Sequence, residues 1–214
     1  MLGGPSGMRA IPPDLERYCE ETRRKLEEHY LQFPDTEPWR QSGMSGPLDR
    51  WTYLRKPVAD CVDRDGSFLD LCCANGFLLE CVLKWTRDRG VSVTPFGMDI
   101  SPKLIALAQA RLPAYRQNLL AGNSFAWEPP ERMDFVSVMC DLFPREYEDD
   151  FIDFVVRHHL KPDGRLLIHG TGPKGTGRRQ VERCFTVERF NQVGQKMGYD
   201  PVKDREVYVA ILMQ

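Results

Sequence analysis

The sequence predicts a doubly wound α/β fold: a mostly parallel seven-stranded sheet with an antiparallel last strand, helices on both faces, and an N-terminal helical extension. Three observations carry this. From Gly66 onward, short apolar runs alternate with segments of helical spacing, the pattern of a parallel sheet covered on both faces. Gly66–Leu83 (GSFLDLCCANGFLLECVL) reads as strand, small-residue turn, helix, the opening of a nucleotide-binding βαβ unit. The chain then ends in two strand-like runs around Asp204, a hairpin that reverses one strand.

Bulk properties bound the class. A chain of 214 residues, 42% hydrophobic and 28% charged, suits one α/β domain with an extension. The division expected is 1–46, a helical extension with a lid-like loop, and 47–214, the main domain. No run approaches the roughly 18 apolar residues of a membrane span, and MLGGPSGMRAIPPD lacks the apolar core of a secretory signal. A formal net charge of −2 argues against nucleic acid as partner. The seven cysteines form no CxxC pair, which fits free thiols in a reducing cytoplasm. None of the four histidines stands at ligand spacing from a cysteine, so no metal is expected.

The elements follow in order. Residues 1–12, rich in glycine and proline, are expected to be irregular. Pro12-Pro13-Asp14 opens a helix that puts Leu15, Tyr18, Thr22, Leu26 and Tyr30 on one face. Residues 33–47 read as a loop, either a linker or a flap that turns Trp39 and Arg40 inward. A second helix covers Leu48–Val62. Strands are expected at Phe68–Cys72, Val93–Met98, Asn118–Ala121, Asp134–Cys140 and Arg165–His169, with helices at Gly76–Arg89, Pro102–Arg111 and Glu148–Leu160. Ser101 is the N-cap of the Pro102 helix. A last helix is expected at Val187–Met197, then strands at Tyr199–Lys203 and Glu206–Met213. GTGPKGTG (170–177) reads as a loop on the ligand side, carrying Lys174 and followed by Arg178 and Arg179. His158 and His159 close their helix and read as structural.

The turn after the first strand decides the ligand class. A dinucleotide dehydrogenase would place G-x-G-x-x-G there; this chain has Cys72-Cys73-Ala74-Asn75-Gly76, preceded by Asp70 inside the strand. A second acid, Asp99, ends the second strand, where in such folds a carboxylate accepts hydrogen bonds from ribose hydroxyls.

FLDLCCANGFLLE, FGMDISPKLIALAQARL, AGNSFAWEPPERMDFVSVMCDLF and LKPDGRLLI, in this order, resemble the motifs of the class I S-adenosylmethionine-dependent methyltransferases, whose domain is Rossmann-like. The resemblance spans roughly residues 60–214 and implies S-adenosyl-L-methionine as cofactor. It implies that Asp70, Cys72, Ala74 and Gly76 lie beneath the methionyl part, with Asp70 acting on the ammonium. Asp99 would hold the ribose hydroxyls, and Ile100 would pack on adenine. Asn123 and Ser124 would sit at the adenine edge, with Phe125 or Trp127 stacking nearby. Cys140 and Asp141 would fall beside the reacting methyl. Cys72 and Ala74 stand where the family's turn has its first two glycines, so a thiol enters where the cofactor passes.

Methyl transfer from a sulfonium mainly requires alignment and exclusion of water; a protonated nucleophile also needs a base. Candidates at the carboxyl ends of the strands are Asp141, His169 and Tyr147. The expected function is methylation of an N or O nucleophile on a small-molecule substrate. Two alternatives stay open: an RNA-modifying enzyme that uses Lys174, Arg178, Arg179, Trp39 and Arg40 as a patch, and a non-catalytic scaffold or sensor that binds the cofactor. A homodimer is a further open expectation.

Overall fold

The computed structural model describes residues 9–184 and 190–213. Its helices are α1 (Pro13–Tyr30), α2 (Leu48–Ala59), α3 (Phe77–Arg87), α4 (Pro102–Arg111), α5 (Arg145–His158) and α6 (Gly177–Arg183). Its strands are β1 (Gly66–Leu71), β2 (Val93–Asp99), β3 (Leu119–Ala121), β4 (Met133–Met139), β5 (Leu160–Pro173), β6 (Asn191–Asp200) and β7 (Arg205–Met213). The seven strands make one sheet in the order β3-β2-β1-β4-β5-β7-β6, and β7 runs antiparallel to both neighbours. Strand order reverses between β1 and β4, which is where open α/β sheets bind ligands, beyond the carboxyl ends of the strands.

Strand alternation divides the core. Leu71, Val136, Val138, Leu166, Ile168 and Tyr208 pack with α1, α5 and α6. Phe68, Phe135, Leu167, Val207 and Val209 pack with α2, α3 and α4. Each such side chain contributes about 1.5–3 kcal/mol, and a one-residue slip would exchange the faces, so register is strongly specified. On the α2 side the apolar pattern stops before the strands do. Beyond Phe68, Phe135 and Leu167 the same face carries Asp70, Ser137 and His169, with Asp70 opposite Ser137. The polar floor of the site is therefore a continuation of the core-facing rows.

Local signals explain the boundaries. Pro13 starts α1 in its first turn, and Ser101 caps α4 by accepting the Leu104 N–H at 3.2 Å. Two expectations need correction. Of the helix expected at Val187–Met197, residues 187–189 lie outside the described residues, and the remainder from Asn191 is strand β6. Gly194 and Gly198 disfavour a helix there, and the long apolar β7 supplies a ladder that pairs every residue from Gly194 to Asp200. The 170–177 loop is likewise half strand: Gly170–Pro173 extend β5 against β7, and α6 follows. A side chain at Gly172 would collide with Thr176, so glycine lets α6 fold back onto its own strand. Of the irregular stretch expected at 1–12, residues 1–8 lie outside the described residues. Among the described residues no helix is long and apolar enough to cross a membrane.

Candidate active site

The turn after β1 is a strained structure held from several sides. Cys72, Ala74 and Gly76 have φ of 65°, 48° and 73°. For the two L-residues the left-handed region costs roughly 1–2 kcal/mol each. Compensation comes from hydrogen bonds. The Ala74 N–H donates to Asp99 Oδ2 at 2.8 Å, and the Cys73 N–H donates to the Met98 carbonyl at 3.0 Å. Asn75 is fully buried; its amide donates to the Pro38 carbonyl (3.1 Å) and Gln41 Oε1 (3.0 Å), and its Oδ1 accepts from Ser42. The 33–47 loop is thus clamped onto the turn. Gly76 starts α3, and a Cβ there would stand 2.9 Å from Ala108 Cβ, so its role is close helix packing.

Two cavities flank this turn and share Cys72 as a wall. The first, of about 80 Å³, lies between α1 and the ends of β2 and β3, lined by Tyr18, Cys19, Thr22, Leu26, Cys72, Asp99, Ile100, Asn123, Ser124, Leu142 and Phe143. Asp99 is the acid on its wall. Its Oδ2 holds Ala74 and its Oδ1 accepts the Ser101 N–H at 2.9 Å, which fixes the carboxylate's orientation and leaves it further acceptor capacity. Burial raises its pKa. Of the α1 face foreseen from its spacing, Tyr18, Thr22 and Leu26 form the roof, together with Cys19. Glu27 anchors that roof by accepting from Ser101 Oγ (2.7 Å) and pairing with Lys103 (3.0 Å) and Arg23 (3.0 Å).

The second cavity, of about 50 Å³, lies under α2 and is lined by Ser42, Trp51, Arg55, Asp70, Leu71, Cys72, Cys73, Ala74, Leu78, Met139 and His169. Burial pushes Asp70 up to about 7, against a hydrogen bond from Ser137 and the pull of Arg55. His169 is pushed down to about 3 by burial and by the Arg55 charge. Its Nε2 lies 3.3 Å from Ser137 Oγ, so it is neutral at physiological pH.

The other residues singled out fall into three groups. Asn123, Ser124 and Ile100 stand beside Asp99 in the first cavity. Phe125 is enclosed instead in an aromatic cluster with Phe143, Tyr147 and Phe151, with the Arg9 guanidinium 3.6 Å above its ring. Cys140 lines a narrow crevice on the α5 side with Asp141, Glu148 and Cys184. Asp141 is exposed at the end of β4 with φ 64°. Tyr147 donates its hydroxyl to Asp14 at 2.6 Å, a bond that raises its pKa to about 12 and pins α1 to α5. Trp39 donates to the Gly46 carbonyl (2.8 Å), and Arg40 pairs with Glu37 (2.8 Å) and stacks on Phe33; both lie outside the linings of these two cavities. Ser42, Trp51, Arg55 and Met139, which sequence reasoning did not single out, line the second cavity. Arg55 carried one signal: a cation at an otherwise apolar helical position between Trp51 and Val58. Among the described residues no group of side chains is arranged to hold a metal ion.

No family model and no curated protein matches the chain. Solved structures share its fold. A SAM-dependent methyltransferase from Geobacter sulfurreducens, in complex with S-adenosyl-L-homocysteine, is 14% identical and overlays with a TM-score of 0.52 over 78% of this chain and 91% of its own. DhpI in complex with SAH is 18% identical, with a TM-score of 0.53 over 92% and 95% of the two chains. TrmN from Thermus thermophilus is 14% identical, with a TM-score of 0.56 over 75% of this chain and 48% of its own. The chain has the fold of the class I S-adenosylmethionine-dependent methyltransferases.

Proposed function

We propose that this chain is an S-adenosylmethionine-dependent methyltransferase acting on an N or O nucleophile of a small molecule. One observation carries the reading. The turn after β1 separates two cavities, one with a backbone-anchored carboxylate under an apolar roof and the other with buried charges. A nucleoside suits the first, and the polar tail of the same molecule suits the second. Asp99 would accept from the ribose hydroxyls. Ile100, Leu142 and Phe143 would enclose the base, with Ser124 and Asn123 offering polar atoms at its edge. Asp70, buried and without an ion-pair partner among the described residues, would face the ammonium.

Bound there, the cofactor supplies an electrophilic methyl on a sulfonium. The protein's part is alignment and removal of water. Of the three candidate bases, His169 lies on the buried floor beside Ser137, and Tyr147 is engaged with Asp14. Asp141, exposed beyond β4, is the carboxylate we assign to orient the acceptor and take its proton. The small-molecule reading rests on enclosure: α1 and the 33–47 loop lie over the carboxyl edge of the sheet. Two of the cations that could have formed an RNA patch are neutralised locally, Arg40 by Glu37 and Arg178 by Glu182. Calorimetry with S-adenosyl-L-homocysteine tests the cofactor: micromolar binding is expected, with a loss of 30-fold or more in Asp99→Ala, on the order of 2 kcal/mol for charge-assisted hydrogen bonds. Absence of binding in the parent chain would refute the proposal.

A further inference from the structure

Sequence reasoning sets Cys140 beside the reacting methyl, yet its side chain lies outside the linings of both cavities. It shares the α5-side crevice with Cys184, the residue that ends α6. The two thiols are 6% and 4% exposed and are joined by a side-chain hydrogen bond. Both backbones are anchored. The Cys140 N–H donates to the His169 carbonyl at 2.8 Å, and the Cys184 N–H donates to the Val181 carbonyl at 2.9 Å. Arg145, at the start of α5, donates to the Arg183 carbonyl at 2.8 Å. The Cys184 S–H donates to the Gln180 carbonyl at 3.3 Å, which leaves the sulfur lone pairs to accept from Cys140. Met139 and Asp141, both exposed, line the same crevice and give solvent a path to the pair.

This pairing sets the two apart from the other cysteines. Burial pushes Cys19, Cys61, Cys72, Cys73 and Cys81 above the ordinary thiol range. Among the described cysteines only Cys184 is lowered, because Cys140 donates to it and so favours its thiolate. The same bond raises Cys140. Cys72 and Cys73, though adjacent, diverge. Cys72 Sγ lies 3.6 Å from Ser124 Oγ, whereas Cys73 Sγ packs against Gly97, 2.8 Å from where a Cβ would stand. We propose that Cys140 and Cys184 are a modification site for hydroperoxides, a dithiol that closes to a disulfide in the folded chain. The Cys184 thiolate attacks a peroxide oxygen, the O–O bond breaks, and the leaving oxygen takes a proton from solvent to depart as alcohol or water. The Cys140 sulfur then attacks the Cys184 sulfenic acid. The S–O bond breaks, and the hydroxide that leaves takes the Cys140 proton as water. Two electrons pass from the thiols to the peroxide. The site is separate from the two cavities, and the bond does not depend on the function proposed above.

The test is peroxide titration of the reduced, folded chain followed by thiol mapping. After treatment with hydrogen peroxide and quenching with catalase, the chain is unfolded in N-ethylmaleimide and cut with trypsin. Arginines in the sequence place the two cysteines alone on separate peptides, 133–145 and 184–189. The alkylated thiols are expected to fall from seven to five, with these two peptides linked, and dithiothreitol is expected to restore all seven. Three results would overturn the assignment: links spread over other cysteines, seven free thiols at peroxide levels that oxidise the exposed methionines, or an equal yield of the 140–184 link when the chain is unfolded in urea before peroxide is added. Cys140→Ala gives a second reading. It is expected to leave a dimedone-reactive sulfenic acid at Cys184 and no link, whereas a link from Cys184 to another cysteine, or a Cys184 that resists peroxide, would count against the pair. The mapping of the parent stands by itself should that variant not fold.

Discussion

Cofactor affinity should depend on pH through Asp70, and the size of the effect follows from its burial. With its pKa pushed up to about 7, the carboxyl is roughly half protonated at neutral pH in the free protein. An ammonium ligand requires the ionised form, so below pH 7 a proton must leave before the ligand settles. The ionised fraction falls from about 0.9 at pH 8 to about 0.03 at pH 5.5, which weakens binding roughly 30-fold, or about 2 kcal/mol. Calorimetry over this range, in two buffers of different ionisation enthalpy, reads both the affinity and the protons released. Asp70→Asn should bind weakly and with a flattened profile. The same group acts on stability with a defined sign. Its folded pKa lies above its unfolded value near 3.8, so its favourable contribution is present below pH 3.8 and lost as pH rises through 7. Asp70→Asn should therefore raise the melting temperature of the ligand-free chain at pH 8. Affinity flat from pH 5.5 to 8 in the parent, with Asp70→Asn binding as tightly, would refute the reasoning.

Other perturbations address the turn, the histidines and the roof. Cys72→Gly removes a left-handed L-residue and a thiol standing between the two cavities; it should leave stability within about 1 kcal/mol in chemical denaturation and keep or tighten binding of S-adenosyl-L-homocysteine, whereas marked weakening would give the thiol a role in the site. Asp99→Ala strips the acceptors from the Ala74 and Ser101 N–H groups and should lower stability by about 1–3 kcal/mol, read from the shift of the urea midpoint at unchanged slope. Burial holds His159 and His169 near a pKa of 3, below the unfolded value of 6.5. Both favour the fold fully above pH 6.5, and that contribution drains away as pH falls toward 3, so the urea midpoint should drop between pH 7 and pH 5 and drop less in His159→Phe. Tyr147→Phe cuts the bond to Asp14 and should speed amide exchange in α1 while leaving exchange in the sheet unchanged.

Much of the fold was legible because it rests on periodicity. The apolar runs at 66–71, 93–99, 133–139 and 205–213 and the capped helix after Ser101 are local signals that tertiary packing reinforces. The exceptions lie at 170–173 and 191–197, where strand pairing with β7 outweighed glycine-rich or helix-spaced sequence. Asp70 and Asp99 stood out as candidates for a different reason: a buried acid at the end of an apolar strand is costly.

The sequence by itself determined the order of the strands' apolar faces, the small-residue turn and the two acids that bracket it, since all of these are properties of neighbours along the chain. Only the tertiary structure decided which distant groups share a space. It brought α1 over Asp99 and committed Tyr147 to Asp14. It buried His169 as a floor residue and set Arg55, fifteen residues before Asp70, across a cavity from it. It also gave Cys72 and Ala74 their left-handed backbone, because the Asp99 carboxylate and the Met98 carbonyl hold the turn in a shape that composition alone would assign to glycine.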